Sequence, residues 1–176
     1  MKKLTFILGF ISAMFIAPLE AQETAKNVVM VLHGGAGTIL PENMTPEREA
    51  SITAELEKAL EAGYAVWEKE GSSLDMVVEA LKILEDSPEF NAGRGAVFTH
   101  EGYNELDASI MYGKDLNAGA VAGVRTIKHP IEAARAVMES SPHVLLSREG
   151  AEEFARERGL EMADSSWFFT TERYHS

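Results

Sequence analysis

The sequence contains no cysteine, so it can build no disulfide, no thiolate metal site and no thiol nucleophile. Basic residues are also scarce, with 16 Lys and Arg against 28 Asp and Glu and a formal net charge of −12. Residues 1–21 hold Lys2, Lys3 and Glu20, which leaves 14 against 27 on residues 22–176, a net of −13. Nucleic acid and anionic lipid are recognised by basic patches, so this balance argues against both as partners. The histidines (His33, His100, His129, His143 and His175) include no pair four apart and no H-E-x-x-H, and no D-x-D-x-D-G calcium loop occurs. There is no G-x-S-x-G elbow, which removes an α/β-hydrolase, and no Lys-Ser/Thr follows a glycine loop as a P-loop requires. No internal repeat or low-complexity segment is present.

Long apolar stretches are few. Phe6 to Ala17 runs for 12 residues with Ser12 its one polar member, after Lys2 and Lys3 and before Pro18. That is too short to span a bilayer and has the make-up of a secretory signal, with cleavage expected after Ala21. A buried N-terminal helix or an uncleaved anchor is the competing reading. The expectation is a secreted or periplasmic chain with one domain over residues 22–176.

Within that domain, Val28 to Leu32 is a continuous apolar run and is expected to be a strand buried on both faces. Pro41 and Asn43 belong to a loop. Thr45 followed by Pro46 starts a helix with Ile52, Leu56, Leu60, Tyr64 and Trp67 as its apolar stripe, ended by Gly71. Ser72 and Asp75 have capping-box spacing ahead of a second helix that should bury Val77, Val78, Leu81 and Leu84. Val97-Phe98, Asp107 to Met111 and Ala118 to Val124 read as strands. His129-Pro130 opens a third helix with Ile131, Ala134, Val137 and Met138 inward. Val144 to Leu146 is a short strand or link, and Ser147 to Arg158 a fourth helix. Trp167-Phe168-Phe169 has little local structure to pack into. The mixture of strands and helices is α+β or α/β.

Two glycine loops carry the chemistry. His33-Gly34-Gly35-Ala36-Gly37 can turn N–H groups towards an anion or oxyanion, or serve the turn alone. Its third glycine is misplaced for a dinucleotide fingerprint. Asn91-Ala92-Gly93-Arg94-Gly95 is the second; Asn91 can serve a site or close a turn on its own backbone. Glu105 and Asp107 fall on one face of a strand, as an acid/base pair or, more simply, as a capped strand start or salt-bridge partners for Arg94 or Arg125.

Taken in order, these loops with Ala96-Val97-Phe98-Thr99, Glu105-Leu106-Asp107-Ala108, Gly119 to Val124 and the Pro130 to Val144 segment resemble the plant-type asparaginase and isoaspartyl peptidase family of N-terminal-nucleophile hydrolases. Glycosylasparaginases lack the two glycine loops and fit less well. The resemblance implies an α+β fold, the αββα sandwich of that class, of which this chain would be the incomplete first half, the α part. It implies a β subunit whose freed N-terminal Thr attacks asparagine or β-aspartyl dipeptides, with an (αβ)2 assembly. None of the nine threonines stands before Val-Gly-Ala-Val-Ala, where that nucleophile belongs. What carries over is support. His33, Gly34, Gly35 and Asn91 match residues bordering the nucleophile, and Leu84, Glu85, Ser87, Phe90, Ala92 and Arg94 match a loop whose backbone carbonyls hold a structural sodium ion. No organic cofactor is implied. A catalytically inert product, or a binding or subunit-pairing module, is the alternative function.

N-terminal sequencing of the chain exported from a bacterial host should begin at Gln22; retention of Met1 on the exported protein would remove the cleaved-signal reading.

Overall fold

The computed structural model describes residues 28–35 and 44–175. The signal segment, the Ala36-Gly37 end of the first glycine loop and the Pro41–Asn43 loop therefore lie outside the described residues.

Helix α1, Pro46–Glu68, begins where Thr45 accepts the Arg48 N–H in its hydroxyl, with Pro46 at the first helical position. It turns its small residues, Ala59 and Gly63, into the contact with helix α2, Ser73–Asp86. Leu60 and Tyr64 of the expected stripe stay exposed. The helices approach so closely that the buried line is set by side-chain size as well as hydropathy. Helix α2 opens with the expected capping box, Ser72 Oγ accepting the Asp75 N–H while Asp75 accepts the Ser72 N–H. It buries Leu74, Met76, Val78, Ala80 and Leu84, while Val77 faces out.

Strands β1 (Leu106–Met111) and β2 (Ala118–Val124) pair antiparallel, and β2 pairs parallel with β3 (Leu145–Ser147). Helix α3, Pro130–Ser140, makes the crossover between β2 and β3 and lies on one sheet face. Gly119 permits this approach: a Cβ there would collide with the Ala134 carbonyl and the Met138 N–H of α3. Helix α4, Arg148–Glu157, follows β3, and the chain turns after it at Gly159, which adopts φ +72°. Behind the sheet Val121, Val124, Ile127, Val137 and Phe168 form a continuous core. Its other face, carrying Asp107, Ser109 and Met111 of β1, is uncovered among the described residues.

Three expectations are corrected. Residues 28–32 run without a paired strand; Met30 and Leu32 pack on Ala59, Ala80, Leu84 and Phe90, whereas Val29 and Val31 are 87 and 86% exposed. The run is apolar on both sides, but the helices cover only one. Val97-Phe98 is reduced to a single bridge between Phe98 and Asn104. The aromatic segment at 167–169 finds a partner for one of its rings: helix α5 (Ser165–Phe168) sinks Phe168 into the core, Trp167 and Phe169 stay partly exposed, and helix α6 (Thr171–Tyr174) brings Tyr174 to Phe98 at 5.4 Å between ring centroids.

Two stability effects follow. Gly119→Ala should lose about 2 kcal/mol in denaturant unfolding, because α3 must move off β2. Asp75 is held down at about 2 by the Ser72 hydroxyl and then by Arg135, whose Nη1 lies 2.7 Å away. A lowered folded-state pKa stabilises above the unfolded value of about 3.9 and is lost as pH falls towards 2. Because Asp75 is partly exposed, Asp75→Asn should cost about 1 kcal/mol at pH 7, and the gap to wild type should close between about pH 4 and 2.

Candidate functional site

The two glycine loops meet. Gly34 lies against the ring of Phe90, with room so limited that a Cβ on Gly34 would stand 3.1 Å from the ring edge and 3.5 Å from Leu56. The H-G-G turn is thereby seated on the segment carrying Asn91. His33 is exposed, and its Nδ1 accepts the Gly35 N–H at 3.1 Å. This leaves Nε2 to carry the proton of the neutral ring, and it closes the Gly35 N–H to any anion.

The second loop leaves α2 and folds over its end. Glu85, although ionisable, is buried; its Oε1 accepts the Ile131 N–H at 3.0 Å and its Oε2 stands 3.3 Å from His129 Nδ1. Burial pushes the Glu85 carboxyl up, opposed by His129 and the Ile131 N–H. The backbone of Glu85 faces the other way, into the turn at Gly93–Gly95. A side chain at Gly93, where φ is +47°, would collide with the Glu85 carbonyl, and one at Gly95 with the carbonyls of Phe90 and Pro88. The turn thus approaches these backbone carbonyls at a distance that only glycine permits. The Leu84 carbonyl accepts the Ser87 N–H and that of Ala92 accepts the Gly95 N–H, each with a lone pair remaining. Among the described residues no group of three His, Cys, Asp or Glu converges as a metal site. A hard cation in this loop would therefore rest on carbonyls, and the donor set suits an alkali ion.

Asn91 is exposed, but its orientation is fixed. Its Oδ1 accepts the Val97 N–H at 3.0 Å, so the amide nitrogen is the end turned outward. Asn104, which no motif singles out, is buried and donates to the carbonyls of Ala96 and Val97 at 2.9 and 3.2 Å. The chain end straps the same loop: Arg173 donates to the Glu89 carbonyl at 3.2 Å, and Arg94 lies 5.4 Å from the Trp167 ring. A recess of about 250 Å³ opens between Phe98, Tyr103, Asn104, Ser165, Ser166 and Phe169.

Glu105 and Asp107 do not form an acid/base pair. Glu105 binds Arg125 at 2.7 Å, as the simpler reading held. Asp107 accepts the Gly123 N–H at 2.8 Å, where β2 bulges by one residue and Gly123 adopts φ +63°. Arg94 goes to Trp167 instead of to either carboxylate.

Comparison with known proteins fits these loops. The asparaginase family model matches residues 26–176. An isoaspartyl peptidase of Salmonella typhimurium is 48% identical over 149 residues, covering 85% of this chain and 48% of the relative. A plant-type L-asparaginase of Pyrococcus abyssi is 52% identical over 135 residues, 76% of this chain and 42% of the relative. An isoaspartyl peptidase/L-asparaginase of Rattus norvegicus is 45% identical over 134 residues, 76% of this chain and 39% of the relative. The chain spans less than half the length of each of these relatives. With one family model matched over residues 26–176, and Gly34 packed on Phe90 at the head of the second loop, the chain belongs to the plant-type asparaginase and isoaspartyl peptidase family of N-terminal-nucleophile hydrolases.

Proposed function

We propose that this chain is the α part of an amidohydrolase that releases ammonia from asparagine or aspartate from β-aspartyl dipeptides, with its nucleophilic Thr on a β subunit outside residues 1–176. The observation that carries the reading is the seating of Gly34 on Phe90, which joins the H-G-G turn to the Asn91 loop. In this chemistry a Thr hydroxyl attacks the amide carbon while its own free amine takes the proton; water then releases the acyl group. This chain supplies a wall for that site. Asn91 offers an outward N–H donor, the kind of group that stabilises a developing oxyanion, and His33 offers Nε2–H from the H-G-G turn.

The remaining parts of the reading follow the same frame. The uncovered face of the β1–β2–β3 sheet is where the second sheet of an αββα sandwich would stack, and the exposed Val29 and Val31 are where a further strand or layer would cover residues 28–32. An (αβ)2 assembly is the form proposed when the β part is present. The backbone carbonyls of Leu84, Glu85, Ser87, Phe90, Ala92 and Arg94 would hold a sodium ion that stiffens the loop and takes no part in bond making. Export to the periplasm or medium, with residues 22–176 as the mature α part, completes the proposal.

Co-expression with the part of the Salmonella relative that this chain does not cover should give hydrolysis of asparagine or of a β-aspartyl dipeptide, and the purified chain alone should give none. Turnover by the chain alone would overturn the mechanism. In the assembled enzyme Asn91→Ala should lower kcat about 100-fold, as removal of one oxyanion donor does; unchanged kcat would remove Asn91 from the site. Crystals soaked in rubidium should show an anomalous peak inside the 84–94 loop, and its absence would exclude the cation site.

A further inference from the structure

One peptide group in this molecule is gripped from both ends by asparagine side chains. The Ala96 carbonyl and the Val97 N–H belong to the same planar unit. The carbonyl accepts from Asn104 Nδ2 at 2.9 Å, and the N–H donates to Asn91 Oδ1 at 3.0 Å. In a trans peptide these groups point in opposite directions, so the two side chains stand on opposite sides of one plate. Rotating the plate breaks both bonds together. Asn104 is 6% exposed, and its second bond, 3.2 Å to the Val97 carbonyl, fixes the following peptide as well.

Asn104 is itself held by a tight reversal. The Thr99 N–H donates to the Tyr103 carbonyl at 2.8 Å, the Gly102 N–H donates to the Thr99 carbonyl at 3.0 Å, and Phe98 bridges Asn104. Gly102, at φ +85°, makes the turn. Asn91 by contrast is exposed, and its Nδ2 makes no hydrogen bond among the described residues. Left alone, a carboxamide on the surface would sample both orientations. Here the Val97 N–H accepts only one of them, because it needs an oxygen opposite it.

We infer that Asn104 is a positioning residue for Asn91: it locks the Ala96–Val97 peptide, and through it holds the Asn91 carboxamide with oxygen inward and the N–H donor outward. A donor bond to the Ala96 carbonyl also polarises the Val97 N–H and strengthens its bond to Asn91. The functional half of this inference rests on the amidohydrolase reading; the structural half does not.

The test has two arms. Amide exchange of the full chain, resolved to Val97, should show strong protection in the wild type. Asn104→Asp, which keeps the shape and loses the donor, should speed exchange at Val97 by at least 10-fold with the core helices unchanged. Exchange of the wild-type Val97 amide at the rate of an open loop would overturn the lock without any variant. In the enzyme assembled with the uncovered part of the Salmonella relative, Asn104→Asp should lower kcat about 10-fold with KM within 2-fold. In an Asn91→Ala background it should have under a 2-fold further effect, because the group it positions is gone. An equal loss in both backgrounds would make Asn104 merely structural. If the wild-type assembly shows no turnover, the amidohydrolase reading falls and the exchange arm still decides the lock.

Discussion

Glu85 sits at the end of α2 and faces two ways. Its carboxylate enters the core to accept the Ile131 N–H, one of the donors that the start of α3 leaves unpaired. Its backbone carbonyl faces the Gly93–Gly95 turn. Of the two carboxylate oxygens Oε1 is hydrogen-bonded, at the start of a helix where an N–H and a favourable dipole are both present, while Oε2 is buried without a hydrogen bond. The Glu85 side chain thus joins the Asp75–Arg135 pair and the packing of Leu74 and Val78 on Ile110, Ile131 and Ala134 in tying the α1–α2 pair to the α3–sheet unit, and the Asn91 loop meets that joint at the Glu85 backbone. Glu85 is the residue of that joint that reaches both α3 and the loop.

The site follows as a consequence of closure at short range. Phe90 packs against Gly34, leaving a Cβ there only a tight fit, and the polar groups beside it are each committed in one direction. The Nδ1 of His33 is occupied by Gly35, and the Oδ1 of Asn91 is occupied by Val97. Both residues consequently turn N–H donors outward.

Much of the helical framework was legible in the sequence, since caps are local: Thr45-Pro46, Ser72 with Asp75, and Pro130 each start a helix where their chemistry requires. Strands β1 and β2 were also readable from short apolar runs. Burial was less so. The α1 stripe turned out to run through Ala59 and Gly63, because closeness of approach, which hydropathy does not encode, decided the contact. Residues 28–32 were misjudged because an apolar run cannot reveal how many of its faces will be covered. The glycine loops were found from their motifs, but Asn104 was invisible: its role depends on a reversal at Gly102 that brings it back under Ala96. The packing of Phe168 was missed for the same reason, its partners Val121 and Val137 being far away in sequence.

The glycines at 93, 95 and 119 face backbone atoms, not the movable ends of side chains. Every single-base change of a glycine codon that alters the amino acid introduces a Cβ or stops the chain. At these codons there is thus no conservative neighbour for mutation to explore, and no nearby side chain can shift to accommodate one. The loop and the sheet–helix contact are consequently points at which sequence drift is blocked by geometry alone, whatever selection acts on the reaction.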